Sequence, residues 1–265
     1  MSLEYKSEEP RMEETGQETE NYQRANIITP FYSIILVAFL VVVFLCQLYA
    51  DSLPPIFEVI SNSAFLAGFV KPLFVEGQYW RILTAAALHG GIMHLAFNSY
   101  ALFVLGKLIE TLSNRAHLAI VFLLSAIGGG ILSLIFIPDI PSIGASGGIV
   151  GFLGYLTVYG FKRRKLLPDS FLKNMLFNVV FIAFVGIFVM DNVDNFGHLG
   201  GLLTGAIYGL IQIPSDLYKD PREMSQTTKI FGFAALGIFI LTAVFSILIL
   251  LGIIQIPLPA VFLNQ

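Results

Sequence analysis

A serine among glycines, Ser146 in "GASGGIVGFLGY", and a histidine among glycines, His198 in "GHLGGLLTG", are the residues of this sequence best suited to chemistry. A serine hydroxyl is a weak nucleophile until a base takes its proton, and histidine, with an ordinary pKa near ~6.5, is the usual base. Flanking glycines leave room for a substrate carbonyl to approach. A third element, "HGGIMHLAFN", sets His94 and Asn98 four residues apart. At about 100° per residue they share one helical face, from which both can donate to a developing oxyanion. His89 lies five before His94, about 140° around such a helix, and need not join them. With a free backbone N–H at a helix start, Ser146, His198, His94 and Asn98 make up the parts of an acyl-transfer site. The plainer reading of His94 and Asn98 is a pair of interhelical hydrogen bonds, worth ~0.6–2 kcal/mol each.

These groups sit in a chain built for lipid. Of its 265 residues, 56% are hydrophobic and 12% charged, against about 25% charged in an average soluble domain. Its mean hydropathy is +0.79. A membrane span needs roughly 20 mostly apolar residues. Seven candidates run near 31–50, 85–107, 117–137, 144–161, 174–190, 196–213 and 230–252. The expected class is all-α and polytopic. The lone cysteine, Cys46, lies in the first span, so no disulfide within the chain and no thiolate metal cluster can form. No H-E-x-x-H zinc motif is present. No cofactor, metal or nucleic acid is expected. The first 30 residues hold seven Glu and no apolar run, which reads as an acidic disordered tail without a cleavable leader. The expected divisions are 1–30 as that tail, 31–213 as the core, and 214–265 as a loop and a last span.

Lys and Arg favour the cytoplasmic side of a membrane. Lys162, Arg163, Arg164, Lys165 and Lys173 follow the fourth span, Lys107 and Arg115 the second, and Lys219, Arg222 and Lys229 the sixth. All three loops fall on one side with the N-terminus, which is therefore expected inside. The opposite side carries only Lys71 and Arg81. Ser146, His198, His94 and Asn98 then share the outer half of the membrane, coming from three separate spans. Polar groups in lipid tend to face the bundle interior. The glycines at 201, 205 and 209 form a stripe with His198, and span four offers Gly144, Gly147, Gly148, Gly151 and Gly154 as a matching surface. Such stripes let helices approach closely. Asp194, four before His198, reads as an N-cap in preference to a third member of a triad.

With these boxes in order, the sequence resembles the rhomboid intramembrane serine proteases. "GASGGIVGFLGY" is similar to the family's GxSG box, "GHLGGLLTG" to its histidine helix, "HGGIMHLAFN" to its His-x-x-x-Asn element, and "YWRILTAAALH" to its Trp-Arg loop at Trp80 and Arg81. Glu110 with Arg115 is also similar to the family pattern. The resemblance covers roughly residues 79–213. It implies a six-helix bundle, here with one added C-terminal helix, and a water-filled cavity open to the outside. It implies a Ser146–His198 dyad without a carboxylate, oxyanion donors at His94 and Asn98, and membrane proteins as substrates, cut in or beside a transmembrane helix. The implied location is a bacterial cell membrane. Val150 stands where the family often has an aromatic packed on the histidine, and Asn114 where it often has Gly, a position where Asn too tolerates the left-handed conformation. Two other readings compete: a rhomboid-like adaptor or chaperone that grips transmembrane helices without cutting them, and a transporter lined by His94, Asn98 and His198. Retention of both Ser146 and His198 argues against the first. The lack of repeated halves and of deep charged pairs argues against the second.

Overall fold

The computed structural model describes residues 29–56, 60–190 and 193–257. The expected acidic tail falls outside them but for its last two positions. The described residues are helical apart from loops and one isolated antiparallel bridge between Phe69 and Ser142.

Seven long helices carry the architecture: α1 (Phe31–Ser52), α5 (Ile92–Leu112), α6 (Arg115–Phe136), α7 (Ser146–Lys162), α8 (Asp169–Phe188), α9 (Asn195–Gln212) and α10 (Gln226–Leu250). Three short helices, α2 (Asn62–Ala67), α3 (Lys71–Val75) and α4 (Arg81–Thr84), with a 3-10 turn at Ala85–Ala87, fill the connection from α1 to α5. Five of the long helices, α1, α5, α6, α8 and α10, are long and apolar enough to cross a membrane. The other two, α7 and α9, are the glycine-rich pair at the centre. Large apolar side chains face outward, as on α8, where Phe177 is 68% and Phe188 72% exposed. Lipid can solvate such a surface, and the helices satisfy their own backbone. The protein is an all-α, multi-pass integral membrane protein.

Helix starts explain the order of the elements. The first backbone N–H groups of a helix have no partner within it. On α1 they are met by Glu110 from α5: its carboxylate accepts from Ser33 N at 2.9 Å, Tyr32 N at 3.3 Å and Ser33 Oγ at 2.7 Å. Negative charge there also suits the helix dipole. Asn114 begins α6, its Oδ1 accepting from His117 N at 3.0 Å. Its φ of −167° is extended, so the left-handed conformation allowed for Asn114 is not adopted: the residue is a cap instead. Ser225 caps α10 in the same way.

The second span starts at Ile92, seven residues later than hydropathy alone placed it. Ala85–Ala87 is apolar but forms the 3-10 turn, and Gly91, at φ 133°, breaks the chain before α5. The core centres on α9, which packs most closely on α7 and α6. A Cβ on Gly205 would come within 1.9 Å of the Gly151 carbonyl oxygen, and one on Gly154 within 2.2 Å of the Leu202 oxygen. The anticipated matching surface is thus formed by Gly147, Gly151 and Gly154, while Gly148 meets Phe122 of α6 and Gly144 faces His94. The last helix, α10, packs on α6 and α1, with Gly232 against Ala116 and Phe239 edge-on to Phe122. Its far end reaches the α1–α5 connection, where Phe245 meets Trp80 at 5.2 Å. By contrast, α8 buries only Met175 and Gly186.

Candidate active site

Ser146 is the first residue of α7, and no side chain caps that helix. At 17 residues, α7 is about 26 Å long with ~1.5 Å rise per residue, short of the ~30 Å hydrocarbon thickness. The loop that delivers Ser146 is pinned from outside the helix: Phe69 N donates to Ser142 O at 3.0 Å, Ser142 N to Phe69 O at 3.2 Å, and Gly144 N to Ala85 O at 2.9 Å. Gly144 has φ 129°, and a Cβ there would stand 2.9 Å from His94 Cε1. Glycine is required twice over at this position, for its backbone and for the space that His94 occupies.

His198 lies in the first turn of α9, which Asp194 caps by accepting from Gly197 N at 2.6 Å. The anticipated N-cap is thus present. The Asp194 carboxylate bonds no ring nitrogen of His198; its other partners are the Ser133 and Ser142 hydroxyls. His198 Nδ1 is buried without a partner. Among the described residues no aromatic ring stacks on His198. Ser146, Gly147, Gly197, His198, Ser142 and Asp194 all face one cavity of about 50 Å³, room for a few waters at about 10–15 Å³ each. The Ser146 hydroxyl and the His198 ring share this cavity without a hydrogen bond between them. Such contacts are often looser without substrate.

His94 stands across Gly144 from this cavity. Gly90 N donates to its Nδ1 at 3.2 Å, so the neutral ring carries its proton on Nε2. That Nε2 lies 3.1 Å from where a Gly144 Cβ would be, and Ser146 Oγ lies 3.6 Å from the same point. A donor therefore faces the hydroxyl's surroundings. Asn98 follows one turn later, buried, with its Nδ2 donor unpartnered. His89 does not lie on α5 at all. It precedes the helix, held by Gln47, whose amide pairs with both the N and the O of His89 at 2.9 and 3.1 Å. Its ring meets His94 edge-on at 5.2 Å.

The Trp-Arg pair lies outside the cavity lining and braces the α1–α5 connection. Arg81, 1% exposed, gives Nη1 to the carbonyls of Phe65 and Gly68, both at 2.8 Å, and Nε to Gln78 at 2.7 Å. Its guanidinium also stacks 4.6 Å from the Trp80 ring centre. Two polar residues escaped the sequence reading, Ser133 and Ser142, and Lys71 was read only as a charge in the loop before the second span. Lys71 is buried and donates to Ser142 Oγ at 2.9 Å, to Ile137 O at 3.0 Å and to Ile140 O. The signal that marks it is its sign, since it is a lysine in an apolar run on the side where lysine is rare.

Known proteins are similar to this chain over the segment that carries these residues. The Rhomboid domain model matches residues 76–215. The chain is 39% identical over 136 residues to Rhomboid protease GluP of Bacillus subtilis (strain 168), covering 50% of this chain and 26% of that protein. It is 33% identical over 163 residues to RHOMBOID-like protein 6, mitochondrial, of Arabidopsis thaliana, covering 59% and 52%. It is 30% identical over 186 residues to RHOMBOID-like protein 2 of the same plant, covering 67% and 56%. The chain thus spans between a quarter and little more than half of the length of these relatives. The matched segment takes in α4 through α9 and with them Ser146, His198, His94, Asn98 and the Trp80–Arg81 pair, and by that match the chain belongs to the rhomboid family.

Proposed function

We propose that this protein is an intramembrane serine endopeptidase that cuts transmembrane segments of other membrane proteins. The observation that carries the reading is the meeting of Ser146 and His198, from α7 and α9, on the wall of one cavity, with a His94 N–H donor beside the hydroxyl. Ser146 Oγ attacks the scissile carbonyl as His198 takes its proton. The carbonyl π electrons move to oxygen, and the oxyanion accepts from His94 Nε2–H, Asn98 Nδ2–H and a first-turn backbone N–H of α7. Collapse breaks the C–N bond, and the leaving amine takes the proton from His198. Water then attacks the acyl-enzyme with His198 as base, the carboxylic acid leaves, and the proton returns to Ser146. No cofactor enters these steps.

We assign the core to 31–213, with 214–265 adding a connection and the last helix. The charge bias of the loops supports an N-terminus in the cytoplasm and a cavity opening on the outer side, as in a bacterial cell membrane. The test is cleavage of a single-span substrate by protein purified in detergent, compared with Ser146→Ala. Cleavage that needs Ser146 supports the reading. Tight substrate binding without cleavage, and no labelling of Ser146 by a fluorophosphonate, supports an adaptor that only grips helices.

A further inference from the structure

Lys71, Ser133, Ser142 and Asp194, the last two on the cavity wall, form a chain of polar groups that the reaction scheme does not use. Lys71 Nζ has three N–H donors, and each has an acceptor: the carbonyls of Ile137 and Ile140 and the hydroxyl of Ser142. Because Ser142 Oγ accepts from Lys71, its own proton points onward, to Asp194 Oδ2 at 2.7 Å. Ser133 Oγ donates to the same oxygen. Asp194 Oδ1 is left to cap Gly197 N at 2.6 Å. Four elements meet here: α3, the end of α6, the loop into α7, and the start of α9. Ser142 lies four residues before Ser146, and Asp194 four before His198.

We propose that Lys71 and Asp194, linked through Ser142, are a positioning pair that holds the Ser146 loop and the His198 helix in register for reaction. The proposal rests on the protease reading above. A pair of opposite charges, Lys71 buried and Asp194 half-buried, is a poor device for stability, because desolvation offsets most of the attraction. Burial pushes the Lys71 ammonium below its ordinary range, and the Asp194 carboxylate pushes it back up. What the pair does provide is a fixed geometry: Asp194 Oδ2 accepts from both Ser133 and Ser142, Ser142 Oγ ties it to Lys71, and a shift of either segment breaks several bonds at once. Capping alone does not need the charge, since asparagine caps a helix as well as aspartate.

The experiment compares the full chain in detergent with Asp194→Asn, Lys71→Met, the double variant, Ser142→Ala and Ser142→Thr. Steady-state kcat and KM, the rate of Ser146 labelling by a fluorophosphonate, and Tm are read for each. Asp194→Asn and Lys71→Met are each expected to lower kcat and labelling about tenfold, with little change in KM. The double variant is expected to stay near that level and not to fall about a hundredfold, because groups acting as one unit are not additive. Ser142→Ala, which keeps both charges and so retains the fold if Lys71→Met does not, is expected to lose about the same factor, and Ser142→Thr to recover it by restoring the hydroxyl. Wild-type kcat in Ser142→Ala or Asp194→Asn, with or without a lower Tm, overturns the pair as a positioning device. So do losses that multiply in the double variant. An uncut substrate and an unlabelled Ser146 in the wild type overturn the protease reading, and the pair with it. A wild type that cuts beside a Ser142→Ala that cuts equally well overturns the pair alone.

Discussion

A Cβ on Gly201 would stand 2.0 Å from the carbonyl oxygen of Gly147, so the backbones of α9 and α7 touch one turn beyond His198 and one residue beyond Ser146. The contact fixes the distance between the Ser146 and His198 side chains more firmly than any bond between them. Backbone against backbone has no rotamer with which to yield, whereas a side chain in the gap could have moved aside.

Gly201→Val tests that contact. Overpacking a tight site costs about 1–3 kcal/mol and at times more, so Tm should fall. Cleavage should fall further, by about a hundredfold, since a misplacement near 1 Å at a reacting centre has that effect. Thermal melting and substrate cleavage, measured below the melting range, separate the two. Unchanged activity in a folded Gly201→Val protein would show that the two helices need not touch.

Ser146→Ala and His198→Ala should each abolish peptide cleavage and leave the bundle folded. Both residues are half-buried at the cavity, and neither side chain makes a hydrogen bond that the fold needs. Near-wild-type Tm with no detectable product is the expected result. Proteolysis by purified Ser146→Ala at the wild-type rate would remove the mechanism.

Asn98→Ala should act on turnover and not on binding. The Nδ2 donor of Asn98 is buried and unpartnered, so its deletion strands no other group in the resting protein. A lost oxyanion donor is typically worth about 100- to 1000-fold in kcat. A change confined to KM would make Asn98 a contact for substrate. His94→Ala should follow Asn98→Ala, with an added loss because His94 also fills the space beside Gly144.

Scission should fall on the outer side of the substrate's span, beside residues that weaken a helix. A transmembrane helix hides its carbonyls in its own hydrogen bonds and must unwind before Ser146 can attack, and Gly and β-branched residues ease that step. Mass spectrometry of both fragments locates the bond. A cut in the cytoplasmic third of the span would contradict the orientation argued from the loop charges.

Much of this was legible in the sequence, and the remainder was not for identifiable reasons. The long helices follow from hydropathy, except where an apolar run is not a span: Ala85–Ala87 reads as greasy but turns as a 3-10 helix. Ser146, His198, His94 and Asn98 stand out because each is a polar group among small or apolar neighbours. Ser133 and Ser142 do not, because a serine is ordinary until the fold shows what it touches, and Lys71 carries only its unusual sign. Asn114 was open to two backbone conformations, and the N–H of His117 decided for the extended one. The glycine stripe of α7 was visible, but the partner of each glycine was not: Gly148 and Gly151 look alike in sequence, yet one meets the Phe122 ring and the other the Ser125 side chain, with the Gly201 carbonyl oxygen 3.1 Å away.

The sparse burial of α8, limited to Met175 and Gly186, means that its surroundings are mostly lipid and only marginally protein. Moving such a helix exchanges few contacts, because acyl chains solvate its phenylalanines about as well as a neighbouring helix would. Its tilt and depth therefore answer to the bilayer, where each ångström of thickness mismatch is worth a fraction of a kcal/mol. The α7–α9 pair, locked backbone to backbone, has no such freedom. One molecule thus contains two materials: a rigid centre that keeps Ser146 and His198 in place, and a wall whose position the thickness of the membrane sets.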